Sequence, residues 1–132
     1  MTNERVLLVD DDEDLSELLR YSLESEGFHT SAASDADEAL LVADGINPSL
    51  VLVDHQLADG RAEHLLRRLK RGSRTEAVPV LLLSSDAGAR DWCRAADGPD
   101  AVLAKPFSPR TLVELVRQML WFRSARVLAP VG

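Results

Sequence analysis

Four short apolar runs in the sequence end at side chains that can take part in chemistry. The residues that follow these runs are Asp10 and Asp11, Asp54, Ser84, and Lys105. Like charges held within ~4–6 Å of one another repel and raise each other's pKa, so crowded carboxylates are stable as anions when a cation neutralises them. Oxygen ligands with room for water suit Mg²⁺. A hydroxyl and an amine facing the same point could hold a phosphoryl group on a carboxylate oxygen, because phosphoryl transfer depends mainly on positioning and charge neutralisation.

The opening acids have a second interpretation that involves no ligand. Asp12 could cap the first helix, and Asp10 and Asp11 could favour the positive end of its dipole. The stretch VLLVDDDED alone does not separate the two interpretations. Asp54 favours a shared site, because it is a lone carboxylate that closes a buried strand predicted to lie beside the first one.

Apolar runs alternate with segments of helical periodicity along the chain. The runs are Val6–Val9, Phe28–Ala33, Leu50–Val53, Val80–Leu83 and Ala101–Ala104, each bounded by charge, Gly or Pro. Near-continuous apolar runs of this kind are typical of buried parallel strands. Strands that alternate with helices predict an α/β fold, here a doubly wound parallel sheet of five βα units in the flavodoxin-like order 2-1-3-4-5. In such sheets ligands collect outside the carboxyl ends of the strands.

The segments that follow the strands carry apolar residues on one helical face. Their apolar positions are Leu15, Leu18, Leu19 and Leu23; Ala36, Ala39, Leu40 and Ala43; Ala62, Leu65, Leu66 and Leu69; Ala89, Trp92, Cys93 and Ala96; and Leu112, Val116, Met119 and Leu120. Gly27 is the expected C-cap of the first helix, and the fourth pattern is the weakest. Ser108 is the expected N-cap of the last helix, with Pro109 at its first position.

Composition and charge exclude several classes of protein. A chain of 132 residues with 45% hydrophobic and 28% charged residues is typical of one globular domain. A net charge of −7 argues against binding of nucleic acid by this domain, because that binding is driven largely by Lys and Arg. No run approaches the ~20 apolar residues of a membrane span, and the N-terminus does not follow the order of a signal peptide. We therefore expect a cytoplasmic protein that does not bind a membrane.

Four motifs stand at the ends of four predicted strands, in the order VLLVDDDED, LVLVDHQ, PVLLLSS and VLAKPF. Together they resemble the response-regulator receiver domain of two-component signalling, and the resemblance covers residues 4 to 122. It implies that Asp54 is the phosphoacceptor and that Asp11 and Asp54 ligate Mg²⁺ directly. It also implies that the backbone carbonyl of Gln56 is the third protein ligand and that Asp10 acts mostly through coordinated water.

The same resemblance assigns roles to groups around the phosphoacceptor. Ser84 would bond to a phosphoryl oxygen once Asp54 is modified, and Lys105 would pair with the phosphate. The family also has a cis peptide before the proline that corresponds to Pro106, a form that needs tertiary support. The acids of the opening stretch would then bind a metal ion, and the metal ion would stabilise the phosphate on Asp54.

The chain departs from the family pattern at three places. The loop Asp54–Gly60 is shorter than usual and has no Pro, which alters the surroundings of the metal. Val102 stands where receivers usually carry an aromatic residue whose inward rotation couples the site to the outer face, so output must travel through loop and helix shifts or through a dimer surface. The segment from Ser84 to Lys105 is also shorter than usual, which points to a truncated or irregular fourth helix.

Some further residues near the motifs have weaker signals. Gln56 and Asp86 hold positions that in the family flank the path of the hydrolytic water, so we predict that they set the lifetime of the phosphate. The three histidines, His29, His55 and His64, lack the spacing of metal ligands and are expected to be exposed or lightly packed. Among them His55 merits a test, because it adjoins Asp54.

Residues 1–122 form the expected receiver domain, and residues 123–132 are a C-terminal tail or the start of a linker. Beyond its core stripe the last helix carries further apolar residues, namely Val113, Leu115, Trp121 and Phe122. Exposed apolar patches of this kind often mark partner surfaces. The expected partners are a histidine kinase or phosphotransfer protein and a second copy of the chain, bound through the last helix and the neighbouring surface.

The leading functional interpretation is a phosphorelay signalling switch, in which Asp54 accepts a phosphoryl group from a histidine kinase in a Mg²⁺-dependent reaction and partner or dimer contacts change. Such a protein is a regulator and not an enzyme, since it catalyses only its own phosphotransfer and dephosphorylation. An alternative is a receiver-like interaction module that works unphosphorylated. A phosphatase of the haloacid dehalogenase type is disfavoured, because Gln56 stands where that class has a carboxyl group as general acid.

Overall fold

A computed structural model describes residues 3–128 of the chain, and the side chains among them up to residue 122. It contains five β-strands: β1 (Arg5–Val9), β2 (His29–Ala33), β3 (Leu50–Asp54), β4 (Val80–Ser84) and β5 (Ala101–Ala104). Each strand coincides with a predicted apolar run to within a residue at either end. Buried apolar runs of this length form strands because both faces of a parallel sheet are covered.

A helical segment follows every strand. The α-helices are α1 (Glu13–Glu24), α2 (Ala36–Ile46), α3 (Ala62–Arg71) and α4 (Pro109–Leu128), and a 3₁₀ helix spans Ala87–Arg94. The 3₁₀ helix confirms the expected irregularity of the fourth segment. Gly88 lowers the helix propensity of this segment at its start, and the Gly98-Pro99 pair follows close behind its end.

All neighbouring strands are parallel, and their order is β2-β1-β3-β4-β5. The predicted doubly wound α/β fold is therefore confirmed. In the β1/β3 pair Val9 lies opposite Val53, and in the β4/β5 pair Ser84 lies opposite Ala104. This register brings the carboxyl ends of β1, β3, β4 and β5 to the same edge of the sheet.

Side chains of the central strands alternate between two apolar clusters, because successive residues of a strand point to opposite faces. The α2–α3 cluster contains Leu7, Val9, Val51, Val53, Val80 and Leu82, together with Ala39, Ala43, Leu65, Leu66 and Leu69. The α1–α4 cluster contains Val6, Leu8, Leu50, Leu52, Leu81 and Leu83, together with Leu19, Leu23, Leu112 and Val116. These two clusters cover both faces of the central strands, whose ends carry the candidate site residues.

Helix caps agree with the sequence at two helices. Asp12 Oδ1 accepts hydrogen bonds from the backbone N–H groups of Asp14 and Leu15, so the capping role of Asp12 is confirmed. Ser108 Oγ accepts from Thr111 N at 3.1 Å and caps α4 as expected.

Two expectations for α1 are wrong in detail. The C-cap of α1 is Ser25, whereas Gly27 lies in the following turn with a φ of 93°. In that turn Phe28 N donates to Leu23 O at 3.1 Å, and a left-handed conformation at Gly27 permits the reversal. Leu18 is 48% exposed and does not join the core.

The last helix passes the boundary that we expected between residues 122 and 123, since α4 continues to Leu128. Residues 129–132 of the expected tail or linker lie outside the described residues. The division of the chain at this point stays a prediction. Within residues 3–128 the structure has no helix with the length and apolar character of a membrane span.

Candidate functional site

Three carboxylates meet at the edge formed by β1 and β3. Asp10, Asp11 and Asp54 each offer one oxygen, and these oxygens all lie within 4.8 Å of one another. Asp10 and Asp54 are buried, with 5% of each residue exposed, while Asp11 is exposed. The parallel pairing of β1 with β3 brings them together, because Asp10 follows the last residue of one strand and Asp54 ends the other.

The surroundings of Asp10 disfavour the ionised form of its carboxyl group. Its Oδ1 accepts a hydrogen bond from Asp12 N at 2.9 Å, but its buried Oδ2 has no partner among the described residues. Burial raises the pKa of Asp10 to about 6, the charge on Asp54 adds to this rise, and the Asp12 N–H and the Lys105 ammonium oppose it. A cation beside Asp10 would therefore stabilise the cluster.

The donor set fits a hard divalent cation. All the clustered side-chain donors are carboxylate oxygens, Oδ2 of Asp10 is unpartnered, and the exposed Asp11 leaves a side of the cluster open to water. Mg²⁺ binds through a few carboxylates and keeps several waters. Gln56 N donates to Asp54 Oδ1 at 3.0 Å, which brings the Gln56 backbone next to the same carboxylate.

Lys105 contacts the buried carboxylate from the end of β5. Its Nζ lies 2.8 Å from Asp54 Oδ1, and its side chain is partly exposed. The backbone N–H of Lys105 donates to Ser84 O at 2.9 Å, which anchors the residue to the end of β4. The peptide bond between Lys105 and Pro106 is cis, as the family resemblance implied.

Ser84 is buried, with 1% exposed, and its hydroxyl contacts two neighbours. Asp86 N donates to Ser84 Oγ at 3.0 Å, and His55 Nδ1 lies 2.7 Å from the same oxygen. The His55 ring is half-buried and lies 5.8 Å from the ring of Trp92, centroid to centroid. Sequence reasoning did not assign His55 to the site, and its position next to Asp54 is the one signal that could have done so.

The residues expected to modulate the site lie around it. The Gln56 side chain spans its mouth, since Gln56 Nε2 donates to Ser85 Oγ at 3.2 Å and Gln56 Oε1 accepts from Lys105 Nζ at 3.5 Å. Asp86 instead caps the 3₁₀ helix, where its Oδ1 accepts from Gly88 N at 2.8 Å. Val102 lies opposite Leu82 in the sheet and packs against the α2–α3 cluster.

The short loop after Asp54 is tied to the start of α2. Leu57 is buried, and Gly60 adopts a φ of 69°. Asp59 Oδ2 accepts from Ala36 N at 3.3 Å, while its Oδ1 accepts from Arg61 N at 3.0 Å. Hydrogen bonds therefore attach this loop to the start of α2, although the loop is short and has no proline.

The family model of the response regulator receiver domain matches residues 6–117 of the chain. The phosphate regulon transcriptional regulatory protein PhoB of Escherichia coli strain K12 is 32% identical over 117 residues, which cover 88% of this chain and 51% of that protein. The DNA-binding response regulator MtrA of Mycobacterium leprae is 35% identical over 118 residues, which cover 89% of this chain and 51% of that protein. The chain thus spans about half the length of these curated relatives.

A solved structure has the same architecture. The receiver domain of the Francisella response regulator 1452 superimposes with a TM-score of 0.79 at 28% identity. The alignment covers 92% of this chain and 99% of that one. Sequence and fold therefore each match this family over most of the chain.

Proposed function

Because the chain belongs to the response regulator receiver domain family, we propose that it is a phosphorelay signalling switch with Asp54 as its phosphoacceptor. The observation that carries this proposal is the contact between Lys105 Nζ and the buried Asp54 carboxylate at 2.8 Å, beside two further acids. In the reaction an Asp54 oxygen forms a bond to phosphorus while the N–P bond of a kinase phosphohistidine breaks. The departing imidazole keeps the electron pair of that bond.

Asp11 and Asp54 would bind Mg²⁺ directly, with the Gln56 backbone carbonyl as a further ligand and Asp10 acting mostly through coordinated water. When bound, the ion supplies positive charge that offsets the carboxylates and the phosphoryl oxygens. The unpartnered Oδ2 of Asp10 supports this assignment, because a buried carboxylate oxygen needs either a donor or a cation.

Ser84 and Lys105 would hold the phosphoryl group once it is on Asp54. Lys105 Nζ already contacts the Asp54 carboxylate and needs only a small movement to pair with a phosphoryl oxygen. The Ser84 hydroxyl would donate to another phosphoryl oxygen. Both contacts exist only in the modified state, so the added charge biases the domain towards a second conformation.

A histidine kinase or phosphotransfer protein is the proposed phosphodonor, and a second copy of the chain is a proposed partner. Trp121 and Phe122 on α4 support the latter, since they are 65% and 59% exposed and pack edge to face on each other. Val113 does not contribute, because it is buried in the α1–α4 cluster. The cytoplasmic location and the absence of nucleic-acid binding by this domain stay predictions.

The second candidate function is a receiver-like interaction module that works without phosphorylation. Two observations favour it: Val102 provides no aromatic switch, and the Ser84 hydroxyl is already engaged by His55. The retained Asp54–Lys105 contact favours the phosphorelay switch over this module.

Intact mass spectrometry after incubation with acetyl phosphate distinguishes the two functions. The wild type should gain one phosphoryl group in the presence of Mg²⁺ and none with EDTA, and Asp54→Ala should gain none. Asp44→Ala removes an exposed acid that pairs with Arg74 and should gain the group as the wild type does. No gain in the wild type, or an equal gain in Asp54→Ala, would contradict the proposal.

A further inference from the structure

We propose that His55, Ser84 and Trp92 form a relay, in which His55 restrains the Ser84 hydroxyl in the unphosphorylated chain and reports its release to the 3₁₀ helix. This inference rests on the proposed function of Asp54. His55 is a positioning residue in this scheme, because it acts on the site through Ser84.

The bonding capacity of Ser84 makes the restraint possible. A serine hydroxyl has one hydrogen to donate and two lone pairs to accept. Asp86 N uses one lone pair at 3.0 Å. His55 Nδ1, 2.7 Å from Ser84 Oγ, is the remaining hydrogen-bond partner of this buried hydroxyl among the described residues, so a bond donated by His55 would leave the hydroxyl hydrogen without an acceptor. We therefore assign Ser84 as the donor and His55 Nδ1 as the acceptor.

Phosphorylation of Asp54 creates a competitor for that single hydrogen. The Ser84 hydroxyl cannot donate to His55 Nδ1 and to a phosphoryl oxygen at the same time. Hydrogen bonds to charged acceptors are roughly twice as strong as those between neutral groups, so the phosphoryl oxygen displaces His55. The backbone N–H of His55 stays bonded to Leu83 O at 2.9 Å, and the release is therefore a rotation of the side chain.

Rotation of the His55 side chain changes the surroundings of the neighbouring Trp92 ring. The Trp92 ring centroid lies 5.8 Å from that of His55, with the ring planes inclined by 37°. Trp92 belongs to the 3₁₀ helix and packs against the α2–α3 cluster, as Val102 does. Since 3₁₀ hydrogen bonds have poorer geometry than those of an α-helix, this segment can yield to movement of the ring. The relay transmits a change at Ser84 to the 3₁₀ helix, and it needs no aromatic residue at position 102.

A double-mutant cycle tests the relay before any phosphorylation. Trp121→Phe leaves Trp92 as the sole tryptophan of the two in the sequence, so the emission reports on Trp92 alone. In this background Ser84→Ala should shift the Trp92 emission while His55 is present and have no effect when His55 is alanine. An equal effect of Ser84→Ala in both backgrounds, or no effect, overturns the relay.

Phosphorylation by acetyl phosphate then tests the restraint. His55→Ala should accept the phosphoryl group roughly two- to tenfold faster, the effect of removing one hydrogen bond, and its Trp92 emission should no longer respond to phosphorylation. His55→Asn can return an acceptor to the place of Nδ1 and should restore the slower rate, whereas His55→Gln should not. His29→Ala, at an exposed position of β2, is the matched control and should behave as the wild type.

The outcomes separate the relay from the proposed function. If the chain gains no phosphoryl group in any variant, the proposed function fails and the relay, as a reporter of phosphorylation, fails with it, whatever the mutant cycle shows. If the chain is phosphorylated at the same rate with and without His55, the relay is overturned and the proposed function stands. Circular dichroism of each variant shows whether the fold is intact, and His55→Gln, which does not return the acceptor, keeps the test valid if His55→Ala does not fold.

Discussion

Asp10 combines burial, a neighbouring carboxylate and an unpartnered oxygen, and this combination should make the stability of the metal-free protein depend on pH. Its pKa is raised from 3.8 to about 6. Between these two values the folded state holds a proton that the unfolded state has released. The free energy of unfolding therefore falls as pH rises through this window, and the loss is complete above the higher value.

Asp10→Asn isolates this effect, because the amide has no charge to lose. In EDTA, the stability of the wild type relative to Asp10→Asn should fall by on the order of 2 kcal/mol as the pH rises from about 4 to about 7. Urea unfolding curves of both proteins at several pH values measure the difference. A difference in the free energy of unfolding that does not change with pH, or that shifts in favour of the wild type as the pH rises, would contradict the argument that burial raises the pKa of Asp10.

Gln56 is the residue best placed to shield a phosphoryl group on Asp54, because its side chain reaches Ser85 on one side and Lys105 on the other. Its removal opens the mouth of the site to water. We expect Gln56→Ala to speed the decay of the aspartyl phosphate by on the order of two- to tenfold, as the loss of one hydrogen-bonded contact would.

Decay is measured by intact mass after removal of acetyl phosphate. Ser85→Ala is the matched control, since it breaks one end of the same bridge and keeps the Gln56 side chain. It should speed decay less than Gln56→Ala. A half-life that is unchanged or longer in Gln56→Ala would show that the side chain does not act as a shield.

Among the elements, the short loop after β3 depends most on a single side chain. Asp59 accepts hydrogen bonds from the N–H of the buried Ala36 at the start of α2 and from Arg61 in its own loop. Asp59→Ala leaves the Ala36 N–H without this acceptor, and we expect the free energy of unfolding to fall by about 1 kcal/mol. Asp44→Ala, which breaks one exposed ion pair with Arg74, should change it by less than about 0.5 kcal/mol. Equal effects of the two changes in urea unfolding would contradict a structural role for Asp59.

The elements were predictable because their signals are local. Each buried strand is a short apolar run, and its carboxyl end directly precedes or carries a polar residue, so the meeting of Asp10 with Asp54 followed from the strand order alone. The irregular fourth segment was also predicted, from its weak helical pattern and from the short stretch between Ser84 and Lys105.

Other features depend on contacts that no local pattern encodes. The contact of His55 with Ser84 joins residues 29 positions apart, and it arises from how a side chain turns at the edge of β3. Leu18 has the spacing of the apolar stripe of α1 yet lies exposed, whereas Leu19 and Leu23 share a buried cluster with residues of α4. The sequence predicted Gly27 as the C-cap of α1, whereas the C-cap is Ser25. Gly27 lies two residues further on and adopts a left-handed conformation in the turn to β2.

At the scale of the whole molecule, the site lies on a protein of net charge −7. The carboxylates of Asp10, Asp11 and Asp54 converge at the site, and their negative charges repel one another. A cation bound there would join the end of β3, the central strand of the order β2-β1-β3-β4-β5, to the end of its neighbour β1. Binding to the folded state alone should then stabilise the entire domain by mass action.

We expect Mg²⁺ at a hundredfold excess over its dissociation constant to raise the free energy of unfolding by roughly 2.7 kcal/mol, seen as a rise of several degrees in Tm. Na⁺ at the same ionic strength controls for screening of the net charge and should have a much smaller effect. Asp11→Asn should abolish the Mg²⁺-specific rise, whereas Asp14→Asn removes an exposed acid in the first turn of α1 and should retain it. An equal rise with Na⁺, or an undiminished rise in Asp11→Asn, would mean that the ion acts on the surface charge in general and that the three carboxylates do not form a metal site.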